Sequence, residues 1–264
     1  MTSGPQTITS RDNALLKELR RLAHDNTAYR KQGRIWLEGD HLCRAALQRG
    51  QAPALAVFQA GYWAATSHQW PQEIGKVVVV DDALFEGLSS LESPGKMAFV
   101  LPLADAPAIE AGVATVVLDG LQDAGNVGAI LRSAGAFGFR QVLAMKGTAA
   151  LWSPKVLRAG MGAHFGLQLR EGLAPPDTDA LALPLLATSS HQGDFLHRAD
   201  LPWPCAWILG NEGQGVSGAM AQRATQFVRI VQPGGEESLN VAAAAAICLH
   251  ASAVSHDKVR GNAT

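Results

Sequence analysis

Short apolar runs alternate with helical patterns in the second half of the chain, and this alternation limits the possible folds most. Residues 113–118 form a continuous run of strand-favouring residues, which is typical of a strand buried on both faces. A helix is predicted from Asn126, followed by a strand at 141–145. Further elements are predicted at 185–188, 206–209 and 227–231 (strands) and 239–254 (a last helix). The sequence therefore predicts an α/β fold with a mostly parallel sheet covered on both faces.

The first hundred residues predict a smaller α/β domain. Ser10 or Asp12 is expected to cap a helix, whose apolar stripe comprises Leu15, Leu16, Leu19, Leu22 and Ala23. Strands are predicted at 34–39, 55–58 and 77–80, and a helix at 42–49. The stretch 101–112 contains Pro102 and Pro107 and has no period, so it is interpreted as a linker. We expect two domains, at 1–105 and 112–264.

Charge is distributed unevenly along the 264 residues. The net charge is −1 and only 17% of residues are charged, which excludes polybasic proteins as analogues. The first fifty residues nevertheless hold nine basic and five acidic residues, a net of +4. Lys17, Arg20 and Arg21 lie away from the apolar stripe, which leaves two interpretations open: a solvated helix face or a contact with phosphates.

Cysteine usage and hydropathy indicate the compartment. Cys43, Cys205 and Cys248 are odd in number, with no metal-binding spacing, as is typical of reduced cytosolic thiols. The N-terminus has no apolar signal core, and the longest small-apolar stretch, 241–249, is about half a membrane span. We expect a soluble cytoplasmic protein with no membrane segment and no metal.

A first candidate segment covers residues 119–138. A strand ends, a loop with two glycines follows, and Asn126 stands where the helix is predicted to begin. The apolar stripe of this helix is Val127, Ile130, Leu131, Ala134 and Gly138, and Arg132 falls outside it. From spacing alone, Asn126 is either a helix cap or a site residue, and Arg132 is either merely exposed or functional.

A second candidate segment, 206–218, contains Gly213-Gln-Gly215-Val-Ser-Gly218 after a predicted strand. With Glu236 and Glu237 about 20 residues later, this matches the dinucleotide-binding fingerprint, which indicates an NAD-dependent oxidoreductase. That fingerprint normally follows the first strand of its fold, whereas here fewer than 50 residues remain. The glycines are better explained as parts of a tight loop that forms a pocket and carries Glu212.

A third candidate segment, 231–248, leads from a glycine loop into the last helix. Ser238 and Asn240 are good capping residues at its start, and five consecutive alanines favour a thin, closely packed helix. Taken alone, the pattern indicates a capped, buried helix.

Together the three segments closely resemble the SpoU–TrmH branch of the SPOUT RNA methyltransferases. The resemblance rests on Asn126-x5-Arg132 with Phe137-Gly138, on LGNEGQG at 209–215, and on SLNVA at 238–242, in this order over residues 113–254. The first hundred residues show a weaker likeness to the substrate-binding domain of such enzymes. Ser10, Asn13, Lys17, Leu22, Arg30 and 36–39 carry that likeness.

The resemblance implies S-adenosylmethionine as methyl donor, a ribose 2′-hydroxyl of RNA as acceptor, a deep C-terminal trefoil knot and a homodimer. It implies that Arg132 is the key catalytic residue. It also implies that Asn126, Glu212, Ser238 and Asn240 position the reaction, and that the cofactor contacts Thr188, Leu209, Gly210, Gly213, Ile230, Leu239 and Asn240. The N-terminal domain, through Lys17, Arg20, Arg21 and Arg30, favours 23S ribosomal RNA as substrate. Transfer RNA and a catalytically inert RNA-binding relative are the alternatives.

Overall fold

The computed structural model describes residues 4–71, 74–91, 93–234 and 238–261, without the side chains of 258–261. The chain divides into two compact units. The first contains the residues up to 105 together with 152–165, and the second contains 106–151 and the residues from 166 onward. Residues 152–165, which lie within the range 112–264 predicted for the C-terminal domain, therefore group with the first unit.

Strands and helices alternate along most of the chain. The strands are β1 (Gln6–Ile8), β2 (Arg34–Glu38), β3 (Leu55–Gln59), β4 (Lys76–Val80), β5 (Met97–Pro102), β6 (Thr115–Asp119), β7 (Gln141–Met145), β8 (Gln168–Leu173), β9 (Leu185–Thr188), β10 (Asp194–Phe195), β11 (Ala206–Gly210) and β12 (Gln226–Arg229). The helices are α1 (Ala14–His24), α2 (Ala28–Gln32), α3 (Asp40–Gln48), α4 (Ala60–Thr66), α5 (Asp82–Glu86), α6 (Ala124–Ala136), α7 (Pro154–Gly160), α8 (Gly218–Ala221) and α9 (Val241–Gly261). Short 3-10 turns occur at Ser67–Gln69, Ala163–Gly166 and Pro175–Leu181.

The first unit is built on a five-stranded mixed sheet with the order β1-β4-β3-β5-β2. Strands β1, β4 and β3 are parallel, whereas β5 runs antiparallel to β3 and β2. The apolar stripe of α1 packs into the core of this unit with buried residues of β2, β3 and β4. The predicted small α/β domain is present, although β1 and β5 were missed and β5 occupies the start of the predicted linker.

The cap of α1 differs from the prediction. Asn13 Oδ1 accepts the backbone N–H groups of Leu15 at 3.0 Å and Leu16 at 3.4 Å. The Ser10 hydroxyl instead accepts the N–H of Asp12 within the preceding turn. The expectation that Ser10 or Asp12 caps the helix is therefore wrong, because Asn13 is the residue placed within reach of the first free N–H groups.

The second unit contains a seven-stranded sheet with the order β10-β12-β9-β11-β6-β7-β8. All neighbouring pairs in it are parallel, which confirms the α/β prediction. Strands β6, β7 and β11 are buried along their whole length, as expected for central strands covered on both faces. Helix α6 packs against α9.

Several predicted boundaries shift by a few residues. The strand predicted at 113–118 is β6 at Thr115–Asp119, and the helix predicted from Leu239 begins at Val241. Helix α6 begins at Ala124 rather than Asn126, because Asp123 caps it by accepting the N–H of Asn126 at 2.7 Å. Asn126 thus lies in the first turn of α6, and its side chain does not cap the helix.

Candidate active site

Three of the predicted cofactor residues lie at one edge of the parallel sheet. Thr188 ends β9, Gly210 ends β11 beside Asp119 of β6, and Ile230 directly follows β12. These four strands are adjacent and parallel, so their carboxyl ends lie side by side. Ligands in open α/β sheets bind outside this edge.

Three side chains from the three motif segments form a hydrogen-bonded chain at this edge. The Asn126 Nδ2 donates to Glu212 Oε1 at 3.1 Å, and the Asn240 Nδ2 donates to Asn126 Oδ1 at 3.0 Å. These bonds join positions 86 and 114 residues apart in the sequence. The structure thus brings together three of the five predicted catalytic residues.

Asn240, at one end of these hydrogen-bonded side chains, lies at the start of α9. Asn240 Oδ1 accepts the N–H groups of Ala242 at 2.9 Å and Ala243 at 3.2 Å, which makes Asn240 the cap of the helix. The same side chain therefore ties the helix start to Asn126.

At the other end of these hydrogen-bonded side chains lies the carboxylate of Glu212, whose pKa is lowered from its ordinary value. Partial burial raises the pKa, but hydrogen bonds from Asn126 and from the backbone N–H groups of Glu212, Gln122 and Asp123 outweigh it. Gln122 and Asp123 directly precede α6, so the carboxylate also lies at the positive end of that helix dipole. Glu212 is held ionised.

A tight turn after β11 shapes the loop that carries Glu212. Asn211 and Gly215 exchange two backbone hydrogen bonds of 2.9 and 2.8 Å, and Gly215 has a φ of +71°, which favours glycine. A Cβ on Gly210 would overlap the backbone of Gly215 and Val216. Gly210 is therefore required by close backbone approach.

Two polar residues that sequence reasoning missed hold this loop against β6. Asp119 Oδ2 accepts the N–H of Ser217 at 2.7 Å. The Asn211 Nδ2 donates to the Gly120 carbonyl at 2.9 Å, and its Oδ1 accepts the N–H of Gly213 at 3.0 Å. The position of Asp119 at the end of a buried strand was the available signal.

Arg132 and Ser238 are not joined to the Glu212–Asn126–Asn240 chain. Arg132 is exposed on α6, six residues beyond Asn126, or about 9 Å along the helix. No hydrogen bond or ion pair of its guanidinium occurs within the described ranges. Ser238 is exposed two residues before Asn240. Arg132 is thus an exposed cation without a partner among the described residues.

The predicted cofactor residues differ in what they offer a ligand. Leu209 is fully buried in β11, and Thr188 donates a long bond of 3.4 Å to the Ile208 carbonyl. Leu239, by contrast, is 39% exposed, and Val231, which follows Ile230 and was not predicted to bind the cofactor, is 45% exposed. Large apolar side chains exposed beside a polar site indicate a surface that a ligand covers.

The predicted RNA-binding residues lie on α1 and α2 of the first unit. Lys17 forms an exposed ion pair with Asp12 at 3.4 Å, and Arg30 lies over the ring of Tyr29 at 5.4 Å. An open surface depression on and after α1 is lined by Lys17, Arg20, Arg21, His24 and Asp25. The basic residues of α1 therefore form one continuous face.

The GxGxxG segment does not open a dinucleotide-type helix. It follows β11, a central strand, and leads through the Asn211–Gly215 turn to α8, which has four residues. Glu236 and Glu237 lie outside the described residues. Within the described ranges, no group of three His, Cys, Asp or Glu residues could hold a metal ion. No described helix is long and apolar enough to span a membrane.

Residues 114–250 match the SpoU rRNA Methylase family. The chain is 32% identical to an uncharacterised tRNA/rRNA methyltransferase of Synechocystis sp. PCC 6803, over 95% of this chain and 94% of that protein. It is 28% identical to the 23S rRNA (guanosine(2553)-2′-O)-methyltransferase RlmP of Bacillus subtilis, over 92% and 97% of the two chains.

The fold is also that of a solved methyltransferase. The SpoU methyltransferase AviRb from Streptomyces viridochromogenes, whose structure contains AdoMet, superposes with a TM-score of 0.82 at 21% identity, over 93% of this chain and 98% of that chain. The parallel sheet and the three-segment site thus define an RNA methyltransferase of the SPOUT class. The chain belongs to the SpoU rRNA methylase family, and the dinucleotide interpretation is wrong.

Proposed function

We propose that this protein transfers a methyl group from S-adenosylmethionine to a ribose 2′-hydroxyl of 23S ribosomal RNA. The observation that carries the proposal is the Glu212–Asn126–Asn240 chain, which joins the three motif segments beside the carboxyl edge of the sheet. RlmP, which matches nearly the whole chain, bears this activity in its name.

The carboxyl edge of β9, β11 and β12 fits the cofactor. Exposed Leu239 and Val231 offer apolar cover for a planar base, and Gly210 lets the backbone approach closely. We propose that Thr188, Leu209, Gly210, Gly213, Ile230, Leu239 and Asn240 hold S-adenosylmethionine. When bound, the cofactor supplies an electrophilic methyl group on a sulfonium.

Arg132 is the group we propose to act on the RNA. A guanidinium is not deprotonated in proteins, so Arg132 does not serve as a base. As an exposed cation, it can hold the phosphate next to the target ribose and stabilise the negative charge that develops on the 2′-oxygen. Asn126, Glu212, Ser238 and Asn240 then orient the acceptor and the loop, and much of the rate gain comes from proximity.

The test of this role compares Arg132→Ala with Arg140→Ala. Arg140 is an exposed arginine that precedes β7, at the amino edge of the sheet. We expect Arg132→Ala to lose methyl transfer by at least a hundredfold while binding S-adenosylmethionine as the parent protein does, and Arg140→Ala to retain both. Loss of cofactor binding in Arg132→Ala would make its role structural. Failure of the parent protein to bind the cofactor would favour an inert RNA-binding relative.

The RNA target is tested by mapping 2′-O-methylation across total RNA with and without the gene. We expect one 23S position to lose its methyl group, and we expect the basic face of α1, with Arg30, to contribute phosphate contacts. An unchanged ribosomal pattern with a changed transfer RNA position would favour the transfer RNA alternative, which the name of the Synechocystis relative includes. A ribosomal substrate also supports the cytoplasmic location that we expect.

We propose that the active form is a homodimer and that the C-terminal domain contains the trefoil knot implied by the family resemblance. Support for the dimer comes from α9, where Ile247 and Val254, seven residues apart on one face, are 41% and 36% exposed. A second copy would cover this stripe. Ile247→Glu is expected to sediment as a monomer with reduced activity, whereas a parent monomer with full activity would refute the dimer.

A further inference from the structure

Two aromatic rings and a guanidinium form a small cluster at the surface of the second unit, where β10 and β12 end. The Arg229 guanidinium lies 4.3 Å from the centroid of the Phe195 ring. The centroid of the His197 ring is 5.9 Å from that of Phe195, and the two ring planes differ by 25°. Arg229 and Phe195 are half-buried, whereas His197 is exposed. We call these three residues the β10 cluster.

The backbone fixes the geometry of the β10 cluster. Phe195 and Arg229 are paired in register between the parallel strands β10 and β12. Arg229 Nε donates to the Gly193 carbonyl at 2.9 Å, which holds the guanidinium beside the ring. Gly193 has a φ of +92°, and a Cβ there would overlap the Phe227 carbonyl, so only glycine fits this turn. The cluster is therefore formed before any ligand binds.

The β10 cluster lies beside the edge where we propose that methyl transfer occurs. Val228 pairs with Thr188 of β9, and Phe195 and Arg229 lie one residue further toward the carboxyl ends of their strands. Strand β10 is two strands away from β9 and three away from β11. At the usual strand spacing these separations are about 10 and 14 Å. An RNA strand whose target ribose lies at this edge can therefore place a nearby nucleotide on the cluster.

The side chains of the β10 cluster suit an unpaired nucleobase. Bases stack on aromatic rings and on guanidinium planes, and unpaired bases are the ones free to do so. The segment 191–200 also exposes Arg198, Asp194 and Asp200. The two carboxylates balance the charges of Arg198 and Arg229. This surface therefore offers stacking rather than an excess of positive charge.

We propose that an unpaired base of the substrate RNA, close to the target nucleotide, stacks on the β10 cluster through His197, its exposed member. Phe195 and Arg229 support the His197 ring, and the three act as positioning residues for the RNA strand. The proposal rests on the proposed function, because it takes RNA as the substrate of this edge. It adds an RNA contact in the second unit to the phosphate contacts proposed for α1.

The first experiment measures methyl transfer to 23S ribosomal RNA from cells that lack the gene. His197→Ala is expected to raise the KM for RNA about fivefold to a hundredfold, the usual effect of removing one stacking side chain. The KM for S-adenosylmethionine and kcat should stay near the parent values. Phe195→Leu, which keeps an apolar side chain on β10 but removes the ring, should act in the same direction. Because stacking is not ionic, the fold-change should be equal at low and at raised salt, unlike that of a phosphate contact.

His191→Ala is the matched control. His191 is an exposed histidine of the same loop and lies outside the β10 cluster, so this variant should keep the parent KM for RNA. A second experiment is independent of turnover: ultraviolet crosslinking of the same RNA to the parent protein, followed by mass spectrometry of tryptic peptides. We expect a crosslinked nucleotide on the peptide 171–198, which contains Phe195 and His197.

The outcomes separate this inference from the proposed function. An unchanged KM for RNA in His197→Ala, or an equal rise in His191→Ala, overturns the β10 cluster as an RNA contact. Loss of cofactor binding with unchanged affinity for RNA overturns it as well. If Phe195→Leu does not fold, His197→Ala and the crosslink decide. A parent protein that methylates no RNA overturns the proposed function, and the crosslink then decides the inference alone, since its absence from the peptide 171–198 overturns it.

Discussion

Asn240 has two separable roles, and a pair of substitutions distinguishes them. Its Oδ1 caps α9 by accepting N–H groups of Ala242 and Ala243, while its Nδ2 donates to Asn126. Asn240→Ser keeps a good capping hydroxyl but is too short to reach Asn126. Asn240→Ala removes both functions, so the difference between the two variants reports the cap.

The expected magnitudes follow from the two kinds of contact. Replacing a capping side chain by alanine costs about 1 kcal/mol, and a neutral hydrogen bond contributes about 1 kcal/mol. Because the bond between Asn126 and Asn240 is exposed, we take for it the low end of the range of about 0.5–1.5 kcal/mol for neutral hydrogen bonds, which is about 0.5 kcal/mol. We therefore expect Asn240→Ser to lower the free energy of unfolding by about 0.5 kcal/mol and Asn240→Ala by about 1.5 kcal/mol.

Urea unfolding of four proteins tests the bond directly: the parent, Asn126→Ala, Asn240→Ser and the double variant. If the two side chains interact as described, the double variant loses about 0.5 kcal/mol less than the sum of the single losses. Methyl transfer should fall in each single variant and fall little further in the double variant. Strict additivity, in stability and in rate, would refute the hydrogen bond as a functional link.

Three further outcomes are expected. Gly210→Ala should destabilise the protein by about 3 kcal/mol, because its Cβ would overlap the backbone of the next turn, whereas Gly218→Ala, with open space around it, should be tolerated in thermal unfolding. Burial raises the pKa of Cys205 to about 11 and that of Cys248 to about 12, so neither thiol should react with a disulfide reagent at pH 8 until the protein is unfolded. The pKa of Glu212 is lower in the folded state than its ordinary value of 4.5, so the stability it adds is present above that pH and is lost on acidification. The stability difference between parent and Glu212→Gln should therefore shrink between pH 6 and pH 3, and a difference that grows would contradict the assignment.

In the seven-stranded sheet, the sequence predicted the central strands correctly and missed the two edge strands, β8 and β10. Strands β6, β7 and β11 are covered on both faces, so their residues are continuously apolar. Strand β8 lies at the edge and carries Arg170 and Glu171. These residues bond outside the sheet, to the Pro107 carbonyl and the Leu151 N–H. A strand with such residues has no apolar run, so the hydrophobic pattern of the sequence does not predict it.

Motif order predicted that Asn126, Glu212 and Asn240 lie together, but not how they connect. Asn126 was expected either to cap its helix or to act in the site, and the choice depended on Asp123 taking the capping role.

Hydrogen bonding through the Glu212–Asn126–Asn240 chain has one direction and uses no cationic side chain. At one end, Glu212 accepts bonds from N–H groups at the start of α6, and at the other, Asn240 accepts bonds from the start of α9. With both ends occupied by acceptors, Asn126 must donate through Nδ2 to Glu212 and accept through Oδ1 from Asn240, so each amide has one orientation. Helix N-termini stabilise the carboxylate, and no cationic side chain is needed for that purpose. Arg132 has no hydrogen bond or ion pair within the described ranges, which is compatible with the contact to RNA that we propose for it.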